Sequence, residues 1–449
     1  MERRSAGRKA EGSRNPVLTA PSPQGKPMSR SARTARSTHI ARAAATALVL
    51  ALVAGVPAAA LAADGRPAAA GSAAHHADGR GTLLSAVPVA LLNRTKTDAY
   101  VESQGFDVPG ARYATASYRI TYRTIGTDGR PTTASGLVSL PVGGPRELRT
   151  VSYEHGTRAE KKGVASTDPD TADRAVAVMF AGAGFAAVAP DYLGLGTGPG
   201  HHPYMDIGTE TSASLDMLRA ARTFAAGHGR TLQRQVLVTG FSQGGVASMG
   251  LGRALQGGAD PYFRLQALAP VSGPFDARGA ELPAAFDGRL DPAIAAYYLG
   301  YFTTSWNRLY PLYGSTSEAF LPPYDRTVEQ LFDGSHNDEE ILGALPGDPR
   351  KLFTPAFIDT LQHPTGAFAE ALRVGDSTCS DWTPRVPVRI FATETDRDVA
   401  IANSEHCQAQ LRANGVHAPL LHAGEAGHMS SPFVAYPQIL SWFEELRRG

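Results

Sequence analysis

The chain has 449 residues, of which 43% are hydrophobic and 19% charged, a balance that excludes a disordered or fibrous protein as a description of the whole. Its formal net charge is +1, but residues 1–42 carry ten lysines and arginines against two glutamates, so the rest carries a net charge of −7. A mildly acidic body has no basic surface to neutralise phosphates, which argues against nucleic acid or an anionic membrane as a partner.

An uncharged, alanine-rich run at residues 43–63 follows the basic start and ends in an A-x-A site before Ala63. This order predicts that residues 1–63 are a secretory signal peptide with a long basic n-region, and Met28 is an alternative start. A retained membrane anchor is the other interpretation, because 21 uncharged residues could span a bilayer. Pro57 and the alanine content favour cleavage. We therefore expect a secreted protein, extracellular or periplasmic, without a stable membrane anchor.

The next elements indicate where folded structure begins. Residues 64–109 are predicted to be a flexible N-terminal segment, since the start of this range shows no hydrophobic period. Two alternating segments, 111–124 and 131–141, flank a turn at Asp128-Gly129 and predict a β-hairpin.

Short apolar runs then alternate with stretches at helical spacing. The predicted order is strand 149–154, helix 171–183, strand 185–190, helix 212–226, strand 235–239, helix 245–255 and strand 265–271. Such alternation builds a mostly parallel sheet with helices on both faces, which is an α/β fold.

This alternation stops at residue 276. Residues 276–380 contain helical segments, at about 291–308 and from Asn337 onward, but no convincing buried strand. The alternation resumes with strand 386–392, helix 402–414, strand 417–421 and helix 432–446. We therefore predict an eight-stranded α/β core in two parts, 110–275 and 381–449, with a helical cap inserted after the sixth strand.

The two cysteines of the chain are Cys379 and Cys407. In an exported protein two cysteines most often pair. Neither has the neighbouring ligands expected of a zinc site, and no metal or organic cofactor is expected.

The hexapeptide GFSQGG at residues 240–245 joins a predicted buried strand to a predicted helix, which is the setting of a nucleophile elbow. The backbone of such a turn is tight, so the positions two before and two after the nucleophile must be small. Gly240 and Gly244 meet this requirement around Ser242, the candidate nucleophile. A phosphate-binding turn is the other interpretation, but the segment lacks a P-loop lysine and the GxGxxG spacing.

A serine hydroxyl needs a base, and the base needs an orienting acid. With this elbow the chain order is serine, acid, histidine. The turn after strand 386–392 offers Asp396, with Asp398 and Glu394 as alternatives. The loop before the last helix offers His428 as the base, and His422, within or at the end of strand 417–421, is the other candidate.

The oxyanion of a tetrahedral intermediate needs backbone N–H donors. The residue after the nucleophile, Gln243, is expected to supply one. The loop after strand 149–154 is expected to supply the other, from Gly156 or Thr157.

With these pieces in order, the sequence resembles the secretory lipase-like carboxylesterases of the α/β-hydrolase superfamily over about residues 110–446. The resemblance rests on YEHGT at 153–157, APDYLGLG at 189–196, HPY at 202–204, LDMLRAAR at 215–222, GFSQGG at 240–245, WTP at 382–384, the D-x-x-V at Asp396, and Gly427-His428.

The resemblance implies a secreted hydrolase of small-molecule or lipid esters. It also implies a helical cap after the sixth strand. From the residues themselves we expect a Ser242–His428–Asp396 triad that works through an acyl-enzyme. A serine peptidase of the same fold, aminopeptidase-like, is the alternative, with acids near Asn337 holding a substrate amine. The aromatics of the insertion, Tyr298 and Phe302 among them, could line an acyl pocket or pack the cap on the core.

Overall fold

The structure, a computed structural model, describes residues 79–446. The predicted signal peptide at 1–63 and the start of the segment 64–109 lie outside the described residues. Within residues 79–446 no helix is both long and apolar enough to cross a membrane.

A mixed sheet of nine strands lies at the centre of the described residues. Its strands are β1 (Leu83–Leu92), β2 (Ala114–Ile125), β3 (Pro131–Val142), β4 (Glu147–Glu154), β5 (Ala186–Pro190), β6 (Thr231–Phe241), β7 (Arg264–Val271), β8 (Ile390–Ala392) and β9 (Leu420–His422). They pair in the order β1-β2-β3-β5-β4-β6-β7-β8-β9. The pairs among β1, β2, β3 and β5 are antiparallel, and all pairs from β5 through β9 are parallel. The predicted hairpin and the mostly parallel α/β sheet are confirmed.

The strand count differs from the eight predicted, because β1 lies in the range 64–109 that was expected to be flexible. The helix Arg94–Ser103 lies in the same range. β1 is an edge strand with most side chains exposed, and its register against β2 shifts between Pro88 and Ala90. It therefore carries no clean alternation of polar and apolar residues. Counted with β1, the helical insertion follows the seventh strand rather than the sixth.

Fourteen α-helices occur among the described residues. They are α1 (Arg94–Ser103), α2 (Ala172–Gly182), α3 (Ile207–Gly227), α4 (Gln243–Gln256), α5 (Leu282–Asp287), α6 (Pro292–Asn307), α7 (Thr316–Ala319), α8 (Val328–Leu331), α9 (Asp338–Ala344), α10 (Pro349–Leu352), α11 (Pro355–Gln362), α12 (Gly366–Asp376), α13 (Ala402–Ala413) and α14 (Ser431–Glu445).

Helices cover both faces of the sheet because successive side chains of a strand point to opposite faces. In β6, Val236 and Val238 pack in the core cluster that includes residues of α3, α4 and α13. The intervening Leu237 packs in the cluster that includes residues of α2 and α14. Side chains buried on both faces explain why this strand reads as an unbroken apolar run.

The insertion between β7 and β8, which contains α5 to α12, has a hydrophobic core of its own. It is joined to the loop that precedes α3 by hydrogen bonds from α6. The Ser305 hydroxyl donates to the carbonyl of His202 at 2.9 Å, and the Trp306 indole donates to the carbonyl of Tyr204 at 2.8 Å. These bonds fix α6 above the carboxyl ends of the parallel strands.

The two cysteines form a disulfide bond that joins Cys379, just after α12, to Cys407 in α13. Both residues are fully buried. The bond closes a loop with a sequence separation of 28 and ties the end of the insertion to the core.

We expect replacement of both cysteines by alanine to lower the free energy of unfolding by about 3–4 kcal/mol, because the unfolded chain gains the entropy of an open loop. Urea unfolding of the oxidised protein and of the variant measures the difference. Reductant should move the midpoint of the wild type toward that of the variant and leave the variant unchanged. Equal midpoints for the two oxidised proteins would contradict this expectation.

Candidate active site

Ser242 lies at the sharp turn between β6 and α4, with φ 56° and ψ −120°. A non-glycine residue at positive φ is strained and must be held by its surroundings. The Ser242 amide donates to the carbonyl of Val271 at 2.8 Å, which fixes the turn against β7. A Cβ atom on Gly240 would clash with the carbonyl of Gly244, and one on Gly244 would clash with the carbonyl of Glu154. Only glycine fits these two positions.

Three side chains that are far apart in sequence meet at this turn. The His428 Nε2 atom lies 2.9 Å from the Ser242 Oγ atom, and the His428 Nδ1 atom lies 2.7 Å from the Asp396 Oδ2 atom. All three residues are buried, with exposures between 3% and 8%. The arrangement gives a continuous hydrogen-bonded path from the hydroxyl to the carboxylate.

The turn after β8 positions Asp396. Its Oδ1 atom accepts hydrogen bonds from the amides of Asp398, at 3.0 Å, and Val399, at 2.9 Å. The other oxygen is thereby left to His428. Of the three carboxylates considered from sequence, Asp396 contacts the histidine, Glu394 is exposed, and Asp398 takes part through its backbone amide.

Threonines hold the histidine loop to the carboxylate turn. The Thr395 hydroxyl donates to the carbonyl of Glu425 at 2.9 Å and accepts from the amide of Gly427 at 3.1 Å. The neighbouring His422 ends β9 and pairs with Glu425 through its Nε2 atom, at 3.0 Å. His422 is therefore paired outside this path, and His428 occupies it.

Burial alone lowers the pKa of the His428 imidazole, because it disfavours the charged ring. The hydrogen bond and charge of Asp396, with smaller contributions from Asp398 and Glu281, outweigh burial, and the pKa lies above its usual value. Since Asp396 accepts at Nδ1, the neutral ring carries its proton there. The Nε2 lone pair is then directed at the hydroxyl of Ser242.

The expected oxyanion donors lie beside the turn. Gln243 is the first residue of α4. The loop after β4 packs against the residue that precedes the serine, since a Cβ on Gly156 would lie 3.0 Å from the Phe241 ring and 3.3 Å from the Phe241 carbonyl oxygen. The Thr157 hydroxyl lies 2.9 Å from the hydroxyl of Tyr204. The structure thus brings Gln243, Gly156 and Thr157 to the same end of the sheet as Ser242.

A buried polar cluster behind Gln243 was not identified from sequence. The Gln243 Nε2 atom donates to Glu210 Oε1 at 2.6 Å and to His202 Nε2 at 2.9 Å. Burial lowers the pKa of His202 to about 3, and its Nδ1 atom lies 2.9 Å from the carbonyl of Leu193. His202 is therefore neutral and can accept from the glutamine. The sequence signals for this cluster are the histidine of the HPY motif and Gln243 of GFSQGG, and neither points to Glu210.

A small cavity of about 80 Å³ opens beside Ser242. Its lining is largely apolar and comes from the insertion and from the loops around the serine. The lining residues are Tyr204, Met205, Ser242, Gln243, Pro274, Ala277, Glu281, Leu282, Tyr298, Leu299, Phe302, Leu372 and Val399.

Glu281 is the acidic residue of this lining. Its Oε2 atom accepts from the Ala400 amide at 3.1 Å and from the Asn403 side chain at 2.6 Å. The acids near Asn337 do not line the cavity. They belong to the capped start of α9, where Asn337 and Glu340 bond reciprocally. Within residues 79–446 no group of three or more His, Cys, Asp or Glu is placed to hold a metal ion.

Solved structures of the same fold resemble the chain over most of its length. A candidate hydrolase from Legionella pneumophila is 27% identical, with a TM-score of 0.74, and the match covers 82% of this chain and 98% of that one. The rice cell wall degrading esterase LipA from Xanthomonas oryzae is 25% identical, with a TM-score of 0.69, over 82% of this chain and 96% of LipA. Candida antarctica lipase A is 15% identical, with a TM-score of 0.57 and 78% of each chain covered, which is a likeness of fold alone. No protein-family model and no protein of curated function matches the sequence.

Reactivity of Ser242 should follow the protonation of His428. We expect labelling by a fluorophosphonate probe to speed up as pH rises through the pKa of His428, above the usual 6.5, because only the neutral ring accepts the serine proton. Asp396→Asn removes the charge that raises this pKa, so the midpoint moves to lower pH. The rate also falls, by roughly 10⁴-fold, because asparagine can donate to Nδ1 and reverse the tautomer.

Asp398→Asn is the matched control, because Asp398 contributes charge but its side chain does not contact His428. This variant should lower the midpoint slightly and keep the plateau rate of the wild type. Labelling rates measured across pH 5–9 give both quantities, and a midpoint unchanged by Asp396→Asn would contradict the assignment.

Proposed function

We propose that this chain, an α/β-hydrolase by its fold and its structural relatives, cleaves carboxylic esters with Ser242 as nucleophile, His428 as general base and Asp396 as orienting acid. The observation that carries the proposal is the path from Ser242 Oγ through the imidazole to Asp396, with contacts of 2.9 and 2.7 Å at a glycine-flanked elbow. The esterase identity of LipA, at 25% sequence identity, supports the ester class.

The reaction proceeds through two proton transfers in each half. His428 Nε2 takes the hydroxyl proton as the Ser242 oxygen bonds to the ester carbonyl carbon. The imidazolium then returns the proton to the departing alcohol, and the carbon–oxygen ester bond breaks to leave an acyl-enzyme. Water repeats the sequence, so that the acid leaves and the serine regains its proton. No cofactor takes part in these steps.

The charges that develop during the reaction have complementary groups nearby. Asp396 stabilises the imidazolium, with its second oxygen already satisfied by two backbone amides. The oxyanion is held by the amide of Gln243 and by that of Gly156 or Thr157. Loss of one such donor typically costs about 3–4 kcal/mol of the barrier.

We also propose that the protein is secreted, and two features support this. The start of the chain has the order of a signal peptide, with a basic segment, an apolar run and a small-residue site. The disulfide bond between Cys379 and Cys407 suits an oxidising compartment, extracellular or periplasmic.

The serine peptidase is the less favoured alternative. It needs free carboxylates to hold a substrate amine, and the acids proposed for this near Asn337 cap α9. The Asp338 side chain accepts the hydroxyl of Tyr297 at 2.7 Å. The cavity beside Ser242 is instead lined mostly by apolar side chains, which suit an acyl chain.

The function is tested by comparing p-nitrophenyl butyrate with an amino-acid naphthylamide on wild type and Ser242→Ala. We expect the wild type to prefer the ester, and the variant to lose at least 10³-fold in kcat, because the nucleophile is absent. Equal thermal unfolding of the two proteins controls for misfolding. Preference for the naphthylamide would favour the peptidase, and full esterase activity of Ser242→Ala would refute the mechanism.

The cavity beside Ser242 limits the acyl group. At about 80 Å³ the cavity is roughly half the size of an apolar cavity of about 150 Å³ that binds benzene, so it suits a short acyl chain. Phe302 and Leu372, from α6 and α12, are among the side chains that line it. We therefore propose that short acyl esters are the preferred class.

A chain-length series of p-nitrophenyl esters should show kcat/KM falling beyond butyrate in the wild type. Leu372→Ala should shift the preference toward longer acyl chains. Its kcat/KM should rise by about fourfold for each further methylene that the enlarged pocket buries. Leu361→Ala is the control, because Leu361 is buried in the same insertion core but does not line the cavity. Each truncation should lower the free energy of unfolding by about 2–5 kcal/mol, so a loss of stability alone affects both variants alike. An equal change in chain-length preference in Leu372→Ala and Leu361→Ala would therefore contradict the proposed pocket.

A further inference from the structure

Two buried oxygen atoms in the cluster behind Gln243 have no hydrogen-bond partner among the described residues. They are Glu210 Oε2 and Gln243 Oε1, each shielded from solvent. An unpaired buried acceptor is destabilising, so two on neighbouring side chains require an explanation.

The two atoms belong to side chains that are already joined. Gln243 Nε2 donates to Glu210 Oε1 at 2.6 Å, and the second hydrogen of this amide goes to His202 Nε2 at 2.9 Å. A carboxyl and a carboxamide that share one such bond can share a second in the opposite direction if the carboxyl carries a proton. That proton would satisfy both orphaned atoms at once.

We propose that Glu210 is protonated in the working enzyme and returns a hydrogen bond from Oε2 to Gln243 Oε1, closing an acid–amide ring that positions Gln243. Glu210 is then a positioning residue for the proposed ester hydrolysis. It acts through Gln243, whose backbone amide is the expected oxyanion donor. This inference rests on the proposed function for its catalytic consequence, and on the buried contacts alone for its protonation.

The surroundings of Glu210 favour the neutral acid. The residue is 1% exposed, and burial raises the pKa of its carboxyl to about 8, with Asp206 and Glu154 adding negative charge. The Gln243 side chain, which donates to Oε1, and the nearby Met205 backbone oppose this shift. The neighbouring His202 is neutral, since burial lowers its pKa to about 3, and so supplies no compensating charge.

Three tyrosines also lie near the carboxyl. Tyr192, Tyr204 and Tyr301 each sense its charge, and burial raises the pKa of all three above the usual range. They stay neutral where Glu210 titrates. Burial also raises the pKa of Glu154 to about 7, so Glu210 and Glu154 are the two carboxyls here that change charge between about pH 7 and 8, and a Glu154 variant is needed to separate them.

The test compares Glu210→Gln with Glu210→Ala in steady-state hydrolysis of p-nitrophenyl butyrate across pH. In the wild type kcat/KM should fall as pH rises through about 8, because an ionised Glu210 loses its donated hydrogen bond and repels Gln243 Oε1. Glutamine carries a permanent donor and acceptor, so Glu210→Gln should match the wild type at neutral pH and lack the alkaline fall. Glu210→Ala should be impaired roughly tenfold at all pH values.

The control is Glu154→Gln, which removes another buried carboxyl. Both Glu154 oxygens are already paired, with the hydroxyls of Ser152 at 2.7 Å and Ser214 at 2.6 Å. This variant should keep the alkaline fall of the wild type. An alkaline fall that persists in Glu210→Gln, or a Glu210→Gln as impaired as Glu210→Ala at neutral pH, would overturn the proposal.

A second measurement does not depend on catalysis. The infrared difference between wild type and Glu210→Gln at pH 7 should contain the carbonyl band of a protonated carboxylic acid, and its absence would overturn the proposal. Thermal unfolding of wild type and Glu210→Gln, measured across pH, gives a further check. The carboxyl has a pKa of about 8 in the folded protein against 4.5 when unfolded, so it stabilises the wild type fully below about pH 4.5 and loses this contribution between about 4.5 and 8, a window over which the variant gains relative stability. A wild type without esterase activity that shows the band would refute the proposed function and leave the protonated Glu210 standing.

Discussion

The site depends on one steric constraint, which is the tight turn that carries Ser242. Its backbone lies in a region that side-chain-bearing residues seldom adopt, and the crossing of β6, β4 and α4 leaves no space for a Cβ at Gly240 or Gly244. The carbonyl of Glu154, at the end of β4, packs against Gly244 of α4, and Gly156 packs against Phe241. The turn at Ser242 and the loop that holds Gly156 are therefore held by the same set of contacts. The position of the Ser242 hydroxyl is therefore fixed by the packing of the sheet and does not depend on the conformation of a long loop.

Local patterns made much of this architecture predictable. These patterns depend on residues that are close together in sequence. They are the period of two in β2 and β3, the apolar runs of β5 to β7 and the GFSQGG turn. β1 was missed because an edge strand with both faces partly exposed has no such period. The choice of Asp396 over Asp398 was left open by sequence, because it depends on which carboxylate turns inward after its other oxygen is satisfied by backbone amides.

Glu210 could not have been found in the same way. A glutamate in the first turn of a helix is ordinarily explained by the helix dipole, and its partner Gln243 lies 33 positions further along the chain. Its environment is set by α3, α4 and the loop at His202 together. The apolar cavity beside Ser242 is likewise a product of packing, since its walls come from α6, α12 and several loops whose meeting no local pattern encodes.

The insertion is fastened to the core at both of its ends, and the two fastenings lie one helical turn apart. At its start the Asp276 amide donates to the Asn403 side chain at 2.9 Å, and at its end Cys379 is bonded to Cys407 of the same helix, α13. The chain between Asp276 and Cys379 therefore leaves the core and returns to it at neighbouring positions of α13. Because both ends are held on α13, a change in the length of the insertion need not alter the register of the strands beneath it, whereas its seating over the site also depends on the bonds from α6 to His202 and Tyr204.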